Sequence, residues 1–142
     1  MAVKTLAQKL SLKPGNRALI LNAPDGYIDR LQPLPERVTV VQKVHGVYDF
    51  VQLFVWNKAD IDTQALAAIA ALQPGGVLWF AYPKTTGTIM TDITRDLGWE
   101  TVYGADFGPV ASVSLDNTWT GLRFKPEKTI ERKADSKFRK QD

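Results

Sequence analysis

The chain has 142 residues, 44% of them apolar and 23% charged, the balance of one soluble globular domain with room for a single core and no second domain. It contains no cysteine, which excludes disulfides, thiolate metal sites and cysteine nucleophiles. The amino end has no apolar run of signal-peptide length, and no later segment approaches the ~20 apolar residues of a membrane span. The sequence therefore predicts a cytoplasmic protein without membrane contact. The formal net charge of +3 is unevenly placed, because residues 1–124 hold 11 Lys+Arg and 11 Asp+Glu while residues 125–142 hold 7 and 4. That last stretch, KPEKTIERKADSKFRKQD, has only Ile130 and Phe138 as large apolar residues. It is expected to be a flexible basic extension of a domain spanning residues 1–124. Its cations could neutralise phosphates, but the interleaved Glu127, Glu131 and Asp135 speak against a nucleic-acid role.

In chain order, residues 3–10 fit a short amphipathic helix with Leu6 and Leu10 on one face, ended by Pro14-Gly15. Residues 17–22 (RALILN) form an apolar run of the length expected for a strand buried on both faces, stopped by Ala23-Pro24-Asp25-Gly26. Pro33 and Pro35 leave at most about two helical turns before the second strand, residues 38–41. Residues 49–55 (DFVQLFV) read as the third strand. A helix follows, capped by Asp60 or Asp62, with Ile61, Ala65, Leu66, Ile69 and Leu72 at helical spacing. Pro74-Gly75-Gly76 turns the chain into a fourth strand, residues 77–82 (VLWFAY). A further helix is expected over 88–97, with Ile89, Ile93 and Leu97 on one stripe and Asp92 near enough to Arg95 to pair. Residues 110–115 and 119–124 alternate and are joined by Asp116-Asn117-Thr118, as in a hairpin. The sum is an α/β fold: a three-layer, Rossmann-like sandwich whose mostly parallel sheet ends in an antiparallel hairpin. Its exposed edge strand could support a homodimer.

All parallel strands end on the same edge of a sheet, and ligands of open α/β folds usually bind there. Three loops should meet at that edge and place Asn22, Asp25, Tyr27, Asn57, Lys58, Tyr82 and Lys84 around one crevice. The mix of amide, carboxylate, phenol and ammonium suits a polar or anionic small molecule. The bland roles are turn closure for Asn22 and Asp25 and solvation for the lysines. The single His45 has no acidic cluster beside it, so it builds no metal site and lacks a nucleophile partner. Lys84-Thr85-Thr86-Gly87-Thr88 has its lysine before the glycine and so departs from a phosphate loop. Trp56, Trp79, Trp99 and Trp119 are most simply core or rim residues.

The segment Tyr48-Asp49-Phe50-Val51, a helix, then Leu72-Gln73-Pro74-Gly75-Gly76-Val77-Leu78 resembles the second half of class I S-adenosylmethionine-dependent methyltransferases. The closing hairpin resembles that fold's last two strands. The resemblance implies S-adenosylmethionine as a possible cofactor. The chain departs from it at the two principal contacts: the turn after the first strand has one glycine and a proline, and the second strand runs into Gln42-Lys43 instead of an acidic residue. Three further stretches are similar to a family of small uncharacterised bacterial proteins classed as a domain of unknown function. They are residues 19–27 (LILNAPDGY), 78–84 (LWFAYPK) and 91–96 (TDITRD) with Gly98-Trp99. Together these readings predict a ligand-binding or interaction module without a complete catalytic apparatus. The alternatives are a methyltransferase-like enzyme with a degenerate cofactor site and a nucleic-acid-associated protein using the basic tail.

Overall fold

Apolar runs too short for helices supply the middle of the sheet: β1 (Arg17–Leu21), β3 (Tyr48–Phe54) and the second half of β4 (Leu72–Pro83). The structure is a computed structural model that describes residues 4–131; of the extension predicted over 125–142, residues 132–142 lie outside the described residues. A short strand, β2 (Thr39–Val41), completes one edge, and the hairpin of β5 (Phe107–Ser114) and β6 (Trp119–Pro126) completes the other. The order across the sheet is β2-β1-β3-β4-β6-β5. The first four strands pair in parallel, and β4-β6-β5 pair antiparallel. The chain leaves β1 toward one edge for β2 and returns across it for β3, so the direction of winding reverses between β1 and β3.

Alternation along the strands separates two apolar layers. Leu19, Val51, Leu53, Leu78, Phe80 and Phe124 face one side, covered by Ile61, Ala65 and Ala68 of α3 (Lys58–Ala70) and by Trp99 and Val102. Ala18, Ile20, Phe50, Phe54, Trp79 and Trp119 face the other. Ala7 of α1 (Leu6–Lys9), Leu10, Tyr27 of α2 (Tyr27–Arg30) and Leu31 cover that side. Trp79 is pinned there as its indole N–H donates to the Leu10 carbonyl at 2.8 Å. The three-layer α/β/α arrangement expected from the sequence is the one found, and no helix among the described residues is long and apolar enough to cross a membrane.

Several local expectations are corrected. The amino-terminal helix is one turn: Thr5 and Gln8 form a capping box at its start, and a left-handed Ser11 at φ +64° ends it after Leu10. The cap of α3 is Asn57, whose side chain accepts from the Asp60 amide at 2.9 Å; Asp60 instead accepts from the Trp56 amide at 2.8 Å. Leu66 is 56% exposed and is not part of the buried stripe.

No helix forms over 88–97. Thr91 Oγ1 accepts from the Ile93 amide, and Thr94 Oγ1 accepts from the amides of Asp96 and Leu97 at 3.2 and 3.1 Å. These hydroxyls capture the N–H groups that a helical ladder needs. Ile89 and Ile93 then pack on opposite faces of the sheet, and Leu97 is 61% exposed. The helix that does form is α4 (Glu100–Gly104). Finally, β6 runs to Pro126 and a 3-10 turn follows at Glu127–Thr129, so the boundary expected at 124 falls inside the last strand.

Candidate functional site

The carboxyl ends of β1, β3 and β4 and the start of β6 share one edge, but they do not gather the predicted residues into one crevice. From the β2–β1 junction to the β4–β6 junction is three inter-strand spacings, roughly 14 Å. The residues fall in three places along it.

At the β1 end, Asp25 lies in the turn 23–26 beside a cavity of about 210 Å³ that Asp29 and Gln42 also line. Gly26 turns the chain at φ +81°, and a Cβ there would meet nothing within 4 Å, so its backbone is open to an approaching group. Tyr27, next in sequence, does not reach this cavity. It is fully buried, its hydroxyl donates to Gln52 Oε1 at 2.8 Å, and its ring stands edge-to-face on Phe54 at 4.7 Å. Burial pushes its phenol well above the ordinary tyrosine range, which the bond to Gln52 only partly offsets.

Between β1 and β3, at the reversal of winding, Asn22 takes a left-handed φ of +61°. Its amide donates to Gln64 Oε1 at 2.7 Å and to the Phe54 carbonyl at 3.4 Å, bridging the end of β1 to α3 and β3. Asn57 is occupied as the cap of α3. Lys58 donates to Asp62 at 2.7 Å, and its backbone amide to Asp92 Oδ1 at 2.7 Å. The bond to Asp62 raises the Lys58 pKa and lowers that of Asp62. Asp92 is therefore committed to α3 and not to Arg95, which lies beside Asp96 at 3.4 Å.

At the β4 end, Tyr82 and Lys84 line a cavity of about 290 Å³ together with Arg95 and Thr120. This is the one pair of predicted residues that the structure brings together. Tyr82 is buried against Trp99, with ring centroids 5.7 Å apart, and burial raises its pKa. Arg95 and Thr94 join them because the segment 88–97 is turns instead of helix. Threonines followed by free-standing amides were the available signal, whereas Gln42 and Gln64 carried none.

The remaining sequence features are structural. His45 sits at the opposite edge, where its amide donates to the Tyr48 hydroxyl at 2.8 Å and its carbonyl accepts from Arg17 at 2.9 Å. Among the described residues no group of three or more His, Cys, Asp or Glu side chains could hold a metal. Trp79, Trp99 and Trp119 are buried, and Trp56 is a rim residue packed edge-to-face on Trp119 at 4.9 Å.

No protein-family model and no curated protein matches this chain. Solved structures do. It is similar to DhpI in its complex with SAH, at 12% identity and a TM-score of 0.57, over 86% of this chain and 82% of that one. It is also similar to a ribosomal protein L11 methylase from Lactobacillus delbrueckii subsp. bulgaricus, at 10% identity and a TM-score of 0.54, over 84% and 74% of the two chains. A third is a protein in the NADB-Rossmann superfamily from Streptococcus agalactiae, at 13% identity and a TM-score of 0.52, over 89% and 69%. The chain has a Rossmann-like, methyltransferase-like fold. Around the β1 turn the Asp25 carboxylate and the Gln42 amide line the cavity, and Gly26 leaves its backbone approachable. At 210 Å³ this cavity falls below the usual size of small-molecule sites.

Proposed function

We propose that this chain is a cytoplasmic, methyltransferase-like protein that binds an S-adenosyl ligand at the β1 turn, with Asp25 and Gln42 holding the ribose and Gly26 lying against it. The observation that carries this reading is the convergence of these three residues on one cavity at the carboxyl edge, beside the reversal of winding, in a fold similar to that of DhpI in its complexes with SAH and SAM. When bound, S-adenosylmethionine would supply an electrophilic methyl group. The chain's own part is to accept hydrogen bonds at the Asp25 carboxylate and to displace or retain the Asn22–Gln64 bond.

Two observations favour a second reading, a binding module without methyl transfer. The Asn22 amide is already paired at 2.7 Å, and the chain's only histidine lies on the opposite edge of the sheet. A thermal-shift titration with S-adenosylmethionine and S-adenosylhomocysteine tests the shared claim. Ligand at ~100 times its dissociation constant should add about 2.7 kcal/mol, a rise of several degrees. No shift from either compound would refute the proposal. A shift without methyl transfer to any nucleophile supplied would select the module.

A further inference from the structure

The cavity at the β4 end is held open by two anchored turns. Past Pro83, the Lys84 amide donates to the Thr118 carbonyl at 2.8 Å, carrying the β4–β6 ladder one residue beyond the strand. The Gly87 amide then returns to the Lys84 carbonyl at 3.0 Å and closes the first turn. The second turn is fixed from below. Ile93 and Trp99 are fully buried, the Trp99 indole donates to the Thr94 carbonyl at 2.8 Å, and the Thr94 amide donates to the Leu97 carbonyl at 3.2 Å. Arg95 is thereby carried to the lining of the cavity, which Lys84 shares.

The wall contains two cations, four threonines and a phenol, and no carboxylate. Lys84 gives one of its three ammonium hydrogens to Ser114 Oγ at 2.7 Å. Asp96 lies outside the lining and accepts from Arg95 Nε and Nη2 at 3.4 Å each, a forked contact whose two bonds are both longer than strong charge-assisted ones, so Nη1 of Arg95 is the nitrogen it leaves for a ligand. Thr94 Oγ1 already accepts two backbone amides, so what it has to offer is its hydroxyl hydrogen. Thr85, Thr86 and Thr120 add three more hydroxyls. The Tyr82 phenol, protonated at neutral pH as tyrosines are and pushed further that way by burial, is another donor.

We infer that this cavity is a binding site for a phosphate monoester. A carboxylate has two oxygens and one charge, fewer than this wall can satisfy. A phosphate monoester presents three terminal oxygens and close to two negative charges at neutral pH, which two cations and several hydroxyl donors match. Arginine and lysine are also the side chains suited to phosphate, one as a fork and the other as a point charge. The cavity of about 290 Å³ leaves room beyond the phosphate for a small organic group. The site shares no residue with the β1 turn, so it stands or falls apart from the S-adenosyl reading.

The test is calorimetric titration of the full chain at low ionic strength with inorganic phosphate, glycerol 3-phosphate and acetate. Saturable binding of both phosphates at one site is expected, with acetate weaker by about tenfold or more. Lys84→Ala and Arg95→Ala should each weaken phosphate by about tenfold or more, Lys84→Arg should retain most of it, and Lys9→Ala, on α1, should change nothing. Absence of saturable phosphate binding would overturn the inference. So would acetate binding as tightly as phosphate, or equal losses in Lys9→Ala and Lys84→Ala, which would mark a diffuse charge effect.

Discussion

At the β1 end of the carboxyl edge, Asp25, Asp29 and Gln42 face a cavity of about 210 Å³; at the β4 end, Lys84 and Arg95 face one of about 290 Å³. The strands beneath the two ends differ little, since residues 18–20 of β1 and 78–82 of β4 are all buried. The difference lies in the turns. A left-handed Asn22 and a left-handed Gly26 make the first turn tight and leave carboxylates and amides on its rim. Threonine hydroxyls that intercept amides make the second turn wide and leave cations on its wall. The sheet decides where a ligand can sit, and the connecting turns decide the sign of charge it meets.

Trp99→Ala should break the comparison most heavily. Its ring packs against Phe80, Tyr82 and Phe124, and its indole holds the Thr94 turn, so urea denaturation should show a loss of about 3–5 kcal/mol. A loss under 1 kcal/mol would mean that the cationic wall is not anchored from below.

At the β1 end the matching change is Tyr27→Phe, which leaves Gln52 without its partner and should cost about 1–3 kcal/mol. This variant also carries a pH signature. Burial holds the folded Tyr27 phenol above its ordinary value, so the unfolded chain ionises near pH 10 while the folded chain keeps its proton. The contribution is complete below about pH 10 and is lost as pH rises toward the folded value. Stability measured from pH 8 to 11 should fall less steeply in Tyr27→Phe than in the parent chain, and equal slopes would contradict the assignment.

Asn22→Ala removes the bond that ties the end of β1 to Gln64 of α3 and should cost about 1 kcal/mol by the same denaturation assay. Smallest in stability is Asp25→Ala. Asp25 is exposed, so its melting temperature should stay nearly unchanged while S-adenosylhomocysteine binding weakens by about tenfold or more. A large fall in melting temperature would make Asp25 a structural residue.

The central strands were legible because their apolar runs are continuous and bounded by Pro, Gly and Asn. The hairpin was legible in its turn, where Asp116 Oδ1 accepts from the amides of Thr118 and Trp119 at 2.7 and 2.8 Å. Residues 88–97 were misread because Ile89, Ile93 and Leu97 do follow helical spacing. Periodicity carries no record of Thr91 and Thr94 competing for the same amides. The site was half legible for a similar reason. Tyr82 and Lys84 sit where any strand ending on that edge must place them, whereas Arg95 arrives through the turn that replaced a helix. Tyr27 looked like a loop residue, and it is Gln52 and Phe54 of β3, 25 and 27 residues away, that hold it in the core. The bond from Asn22 to Gln64 joins residues 42 apart, a distance at which local patterns are silent.

The most direct test of the divided edge is an amide chemical-shift titration of the 15N-labelled chain, first with S-adenosylhomocysteine and then with inorganic phosphate. Two separate sets of perturbed amides are expected, those of Asn22, Ala23, Asp25, Gly26 and Gln42 for the first ligand and 84–87 with 94–97 for the second. One shared set, or no perturbation by either, would contradict that division.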